Sequence, residues 1–339
     1  MTDRPTTPST VEKGGAGVEG LSLLLCENPL PPLDEAVAAA RAELPRSNHY
    51  TEPYSAPLRD LLAERAGVPV EHLHVNAGSE LILRQLFDRF GQQVHLLTPT
   101  YPLFPEIAER YTETRLRPDE AFQFDLRDLS VPDGTTLVTL VNPNNPNGAA
   151  LDTAVLPDLL AAHPDTRFLV DEAFVDFVDG SVVHLVPEYE NLLVTRTLSK
   201  AHSLAGFRVG YAVLPEAVAA DLNASNDAYP LARPSQAAAI ATLEHEDRIR
   251  ERVQRLRSWA RDLAADLRAL GVRTFPSETY FFLADVAPHD AGDLTAALAE
   301  RGIHLKPLDD DRLGPGYVRV TTGRPAENER LVTALGDLL

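Results

Sequence analysis

The chain is short of the residues that would tie it to several functional classes. It has one cysteine, Cys26, among 339 residues, so no intramolecular disulfide can form, and a cytoplasmic location is the expectation. Cations are scarce: 31 Lys and Arg stand against 50 Asp and Glu, a formal net charge of -19. Such a chain has no basic face to neutralise a phosphate backbone, which argues against a nucleic-acid partner. No apolar run approaches the roughly 20 residues of a spanning helix, which argues against a membrane role. The N-terminus holds small and polar residues without an apolar segment, so no secretory signal is expected. Residues 1–19 read instead as disordered. Their Gly14-Gly15-Ala16-Gly17 is no dinucleotide fingerprint, because no strand precedes it. No metal site is singled out.

What remains is an ordinary globular composition, 44% hydrophobic and 24% charged, and a length that suits two domains. Apolar runs at 136–141, 168–170, 192–194 and 209–213 read as buried strands, with shorter ones at 72–75 and 93–97. Helical spacing alternates with them: 35–44 behind Asp34 as a cap, a stretch from Ala56 closing on Gly67, and 81–90. That alternation from 72 to 213 predicts an α/β architecture, a parallel sheet with helices on both faces. A long helical region opens at Pro234 and continues through 248–270, its mixed charges marking a solvated face. Strand 280–286, helix 291–301, strand 317–321 and a last helix read as a small α+β domain.

The densest chemistry lies in 197–211, Thr-Leu-Ser-Lys-Ala-His-Ser-Leu-Ala-Gly-Phe-Arg-Val-Gly-Tyr. Lys200 stands just past a strand end, where open α/β sheets put their ligands. Thr197, Ser199 and Ser203 add hydroxyls, and Arg208 adds a guanidinium. A lone Ser-Lys pair is usually a solvated loop. This grouping suits a carrier with an aldehyde for the amine and a phosphate for the rest, as in pyridoxal phosphate (PLP). Asp171 closes the strand 168–170, and a carboxylate buried there needs a cation, which a protonated pyridine nitrogen supplies. Gly78-Ser79-Glu80 opens a helix whose free N–H groups suit an anion. Asn-Pro-Asn-Asn-Pro-Asn-Gly at 142–148 makes a tight turn at another strand end.

In their order along the chain these segments resemble the fold-type I PLP-dependent aminotransferases of class I/II, and within them the histidinol-phosphate aminotransferase group. The likeness runs from about residue 20 to the end. It implies a seven-stranded, mostly parallel large domain over 46–235 and a smaller α+β domain built from 20–45 plus 236–339. It implies transfer of an amino group between an amino acid, or a related amine, and a 2-oxo acid through a Schiff base on Lys200. Residue by residue, the resemblance assigns Asn145 to the cofactor's phenolate oxygen, Tyr101 to its ring face and Asp171 to its nitrogen. Gly78, Ser79, the amide of Glu80, Thr197, Ser199 and Arg208 would hold the phosphate, with the Glu80 carboxylate turned away. Arg319, in Tyr-Val-Arg-Val-Thr-Thr-Gly, would clamp the substrate's carboxylate or phosphate. Tyr50 would reach the phosphate of a neighbouring subunit, which implies a homodimer with shared sites.

Several positions depart from the group, among them His49 and Thr51 beside Tyr50 and Asn147 in the 142–148 turn, and two more bear on the reaction. Lys306 replaces an arginine, which predicts weak use of histidinol phosphate and a preference for an amino acid carboxylate. Phe174 replaces a tyrosine that would also bond the phenolate oxygen, a form similar to threonine-phosphate decarboxylases. Decarboxylation, oxidation or elimination therefore stay open beside transamination, as does a non-catalytic PLP-binding role. Asp309-Asp310-Asp311 reads as a surface loop, and Arg324 as solvent-facing.

Overall fold

The computed structural model describes residues 20–308, 310 and 313–339. The segment 1–19, and Asp309 and Asp311 of the acid run, lie outside the described residues. The strands are β1 (Leu21–Ser22), β2 (Leu73–Asn76), β3 (Val94–Thr98), β4 (Tyr111–Arg115), β5 (Leu137–Val141), β6 (Arg167–Asp171), β7 (Leu192–Thr197), β8 (Gly210–Val213), β9 (Arg273–Thr274), β10 (Phe281–Asp285), β11 (Ile303–His304), β12 (Lys306–Pro307) and β13 (Tyr317–Thr321). The helices are α1 (Asp34–Glu43), α2 (Ala56–Ala66), α3 (Ser79–Phe90), α4 (Leu103–Ile107), α5 (Leu156–Ala162), α6 (Glu216–Ser225), α7 (Arg233–Leu243), α8 (Glu246–Ala269), α9 (Ala291–Glu300) and α10 (Pro325–Gly336).

Seven strands form the large sheet in the order β2-β8-β7-β6-β5-β3-β4. All pairings are parallel except those of β8, which is antiparallel to both β7 and β2. The central strands are buried on both faces, which is why they read as unbroken apolar runs. Alternate residues divide between two cores: Phe168, Val170, Leu192, Val194 and Val213 face one, while Leu169, Leu193 and Ala212 face the other with Ile82, Leu83, Leu86 and Phe87 of α3. The first core continues into Tyr280, just ahead of β10, and into Phe281 and Leu283 of the smaller four-stranded sheet, β12-β13-β10-β9. The opposite face of that sheet packs on α8, α9 and α10. A parallel pair, β1 with β11, ties the N-terminal segment to this unit.

Several expectations need correction. The strand β4 carried no apolar run, because it is an exposed edge; its Thr112 and Thr114 hydroxyls instead bond both ring nitrogens of the buried His95, at 2.8 and 3.0 Å. The helix α3 starts at Ser79 rather than 81, directly on Gly78. Asp34 is the first helical residue of α1, not its cap; Leu33 takes the cap position without a side-chain bond. The region after Pro234 is two helices that break at Glu244 and His245, a break the sequence does not signal.

Candidate active site

The sheet topology brings the motifs to one edge. β3, β5, β6 and β7 run parallel and end there, delivering Tyr101, the 142–148 turn, Asp171 and the lysine loop. β8 runs the other way, so its beginning, with Arg208 just ahead, reaches the same edge. Gly210 is the register partner of both Thr197 and Asn76. A Cβ on Gly210 would collide with the backbone of Gly78 and Ser79. Gly78 itself has φ +93°, and a Cβ there would lie 2.6 Å from Arg208 Nη2. Two glycines thus let the Gly78-Ser79 helix start, the strand β8 and the Arg208 guanidinium close on one another. Glu80 turns its carboxylate along the helix to Arg84, 2.9 Å away.

The end of β7 is held by its hydroxyls. Thr197 Oγ1 lies 2.9 Å from Ser199 Oγ and 3.2 Å from the Val209 carbonyl. Lys200 Nζ donates to the carbonyls of Leu25 (2.9 Å) and Cys26 (3.3 Å), and stands 5.6 Å from the centre of the Phe174 ring. Burial pulls the Lys200 ammonium below its ordinary value, and Arg319 and Arg208 act in the same direction. Phe174 is buried, edge-on to Phe281 at 4.8 Å between centroids. Tyr101 is half-buried against Phe104, and burial pushes its phenol up to about 12.

Asp171 is buried at the end of β6. Its Oδ1 accepts from Thr195 Oγ1 at 3.1 Å and from the Ala173 N–H at 3.2 Å. It forms no ion pair among the described residues, and burial raises the carboxyl from 3.8 to about 6, against the smaller opposing pull of its two hydrogen bonds and of the Lys200 charge. The adjacent Glu172 is different: it bonds Arg196 Nε at 2.8 Å, Ser181 Oγ at 2.9 Å and the Val182 N–H at 2.8 Å.

The smaller sheet supplies the other wall. Arg319 on β13 is buried; its Nη1 donates to Asn145 Oδ1 at 2.8 Å, and its Nη2 to the Leu24 carbonyl. Its Nε is buried without an acceptor among the described residues. Lys306 lies directly opposite Arg319 in the β12–β13 pair, so the two side chains leave the same face. Gly148, at φ +73°, packs on Ser277 and Thr279, and its carbonyl accepts the Glu278 N–H at 2.9 Å, which seats the asparagine turn on the segment between β9 and β10. Asn147 is fully buried and bonds Asn144 and the Phe122 carbonyl.

Tyr50 is the one expected site residue not brought to this cluster. It is 76% exposed and stacks on Tyr229, centroids 4.4 Å apart. Three contributors had not been singled out for the site: Asn28, whose amide donates to the carbonyls of Lys200 and Ala201; Tyr280, whose hydroxyl donates to the Cys26 carbonyl; and Thr195. Asn28 stands in a Cys-Glu-Asn-Pro stretch, 26–29, whose Asn-Pro pair is the kind of signal that marks a turn. Tyr280 and the backbone carbonyls carry no signal of this kind. A cavity of about 590 Å³ opens beside Ser199, between residues 27–32, residues 205–207 and Arg324; it does not include Asp171 or Arg319. Arg324 is exposed and donates to the Pro29 carbonyl at 3.0 Å. Among the described residues, no His, Cys, Asp and Glu cluster could hold a metal, and no helix is long and apolar enough to cross a membrane.

The family model for aminotransferase class I and II matches residues 22–335. A histidinol-phosphate aminotransferase of Acinetobacter baumannii is 36% identical over 327 residues, covering 93% of this chain and 90% of that protein. Among solved structures, a putative histidinol-phosphate aminotransferase from Erwinia carotovora atroseptica superposes with a TM-score of 0.86 at 25% identity, over 94% of this chain and 96% of that one. The L-threonine-O-3-phosphate decarboxylase of Porphyromonas gingivalis gives 0.81 at 25% identity, over 95% and 99%. The fold-type I architecture, the strand-end lysine and the match over nearly the whole chain agree: this protein belongs to the class I and II aminotransferases, which work with PLP.

Proposed function

We propose that the enzyme moves an amino group between an α-amino acid and a 2-oxo acid, with Lys200 as the amine that bonds the cofactor. The observation that carries this is the convergence of Lys200, Asp171 and the Asn145–Arg319 pair at one sheet edge. The residues present fit PLP. Asp171 is a buried carboxylate with no ion pair among the described residues, and the notch at Gly78 lets the Arg208 guanidinium stand beside a helix start with free N–H groups. When bound, PLP supplies an aldehyde for the amine and a ring that accepts the electron pair left at Cα.

Asp171 balances a cationic ring nitrogen. Gly78, Ser79, the Glu80 amide, Thr197, Ser199 and Arg208 take the phosphate. Asn145 keeps its amide for the phenolate oxygen, since its Oδ1 already accepts from Arg319. Tyr101 and Phe174 wall the ring. Arg319 takes the substrate carboxylate through its fork. Lys200 Nζ moves the proton from Cα, a role suited to an amine whose burial favours the neutral form. We place the cradle in a large unit over 46–235 and Arg319 in a small unit of 20–45 with 236–339.

The working unit is proposed as a cytoplasmic homodimer. Its support is Tyr50, which is exposed and stacks on Tyr229, and so can serve a second copy. A second substrate reading has its own observation: Lys306 opposite Arg319 gives two cations on one face, which suits a phosphate. The relative from Acinetobacter baumannii is named for histidinol phosphate. Borohydride reduction with peptide mapping tests the core of the proposal, and a pyridoxyl group anywhere but Lys200 defeats it. A donor panel that includes histidinol phosphate and threonine phosphate, read for oxo acid and CO₂, decides among substrates and against decarboxylation.

A further inference from the structure

Residues 24–29 form a clasp between the two halves of the site. Arg319 Nη2 holds the Leu24 carbonyl, and Tyr280 Oη holds that of Cys26. Asn28 Nδ2 grips the carbonyls of Lys200 (2.9 Å) and Ala201 (3.2 Å), while its Oδ1 accepts the Leu30 N–H at 2.9 Å. Cys26 takes a left-handed conformation, φ 49°. In this arrangement two successive carbonyls, of Leu25 and Cys26, accept from Lys200 Nζ. Tyr280 is fully buried among Phe177, Phe174 and Phe281, so its hydroxyl is committed to the clasp.

We propose that residues 24–29 are a parking site for the free amine of Lys200, and that Asn28 and Tyr280 are positioning residues that maintain it. The inference rests on the amino-transfer reading, in which Lys200 is bonded to the cofactor for part of each cycle and free for the rest. A free lysine side chain has several rotamers to sample. Two fixed acceptors give it one place, next to the crevice it must re-enter. They also favour the charged form, opposing the burial that favours the neutral one. Because Arg319 holds the preceding carbonyl, the clasp links the anion clamp to the lysine.

The chain has three lysines, Lys13, Lys200 and Lys306. Trace acetylation of the cofactor-free full chain with acetic anhydride, read by mass spectrometry, therefore compares Lys200 with Lys306 in one sample. Asn28→Ala unties the clasp from the lysine loop. It is expected to raise the Lys200/Lys306 ratio at pH 8 about fivefold, the population change for one net hydrogen bond. The pH midpoint of Lys200 acetylation should fall, since the acceptors that favour its charge are lost, while that of Lys306 stays. Tyr280→Phe keeps the ring and removes only the O–H, and should act in the same direction. Circular dichroism and melting select folded variants, and if one does not fold the other decides. A ratio within twofold of wild type, or a midpoint unchanged or raised, overturns the parking site. Should borohydride trap no PLP on Lys200, the cofactor reading fails by itself, and the acetylation ratio still decides on the clasp.

Discussion

Asp171 is a buried carboxyl with no ion pair among the described residues, and the cofactor-free protein should be less stable for its charge. Burial raises its carboxyl from 3.8 to about 6. At pH below 3.8 the group is protonated in both folded and unfolded chains and costs nothing. As pH rises, the unfolded chain releases the proton first, so native stability falls until the folded group ionises near pH 6, then levels off. A rise of roughly two pKa units corresponds to about 3 kcal/mol at 1.36 kcal/mol per unit. About half of that, roughly 1.4 kcal/mol, develops between pH 5 and pH 8. Asp171→Asn removes the charge and keeps an oxygen for Thr195 and the Ala173 N–H. Its new amide hydrogens, if unpaired, cost about 1–3 kcal/mol, but that cost does not vary with pH. Urea titrations of cofactor-free wild type and variant should show the variant gaining on the wild type by about 1.4 kcal/mol from pH 5 to pH 8. A difference that is flat with pH, or that moves the other way, refutes the reasoning. With PLP added the order should reverse, because the variant can no longer balance a cationic ring.

Other outcomes follow from single contacts. Phe174→Tyr puts a hydroxyl beside Lys200; a hydrogen bond to a charged oxygen is worth about 1.5–3 kcal/mol, so the visible-absorbance titration of the PLP-loaded variant should shift down by roughly one to two pH units. An unchanged titration in a folded variant would mean that the new hydroxyl does not reach the phenolate oxygen. Arg196→Met leaves the buried Glu172 carboxylate without its cation, and should cost about 3–5 kcal/mol in a denaturation experiment; adding Glu172→Gln should recover part of it. Gly210→Ala drives a methyl into the backbone of Gly78 and Ser79, so it should lower the melting temperature and PLP retention together, whereas Gly134→Ala, with open space around it, should retain PLP normally. Mixing inactive Tyr50→Phe and Lys200→Ala chains should restore part of the activity, because one site per mixed dimer is free of both lesions; no recovery despite proven subunit exchange speaks against a shared site.

Strand ends were the legible part. Each motif follows an apolar run that can only be buried, and a parallel sheet puts the ends of such runs at one edge, so Asp171, Lys200 and the 142–148 turn could be grouped from sequence. The polar edge strand β4 escaped, since its pairing depends on the backbone of β3 and on a buried His95 rather than on an apolar pattern of its own. The exposed state of Tyr50 also had to come from the fold, because exposure is a property of what packs nearby.

By itself the sequence determined the local chemistry: which strand ends carry an amine, a carboxylate and an amide, and where a helix start offers free N–H groups to an anion. The tertiary structure alone decided which distant groups meet. Asn145 and Arg319 are 174 positions apart and share a hydrogen bond; Lys200 is docked on carbonyls 175 and 174 positions earlier; Tyr280 reaches across 254 positions to Cys26. Backbone carbonyls are the same at every residue, so no residue type announces them as ligands. Their role is set by where the packing of the two sheets brings distant parts of the chain together.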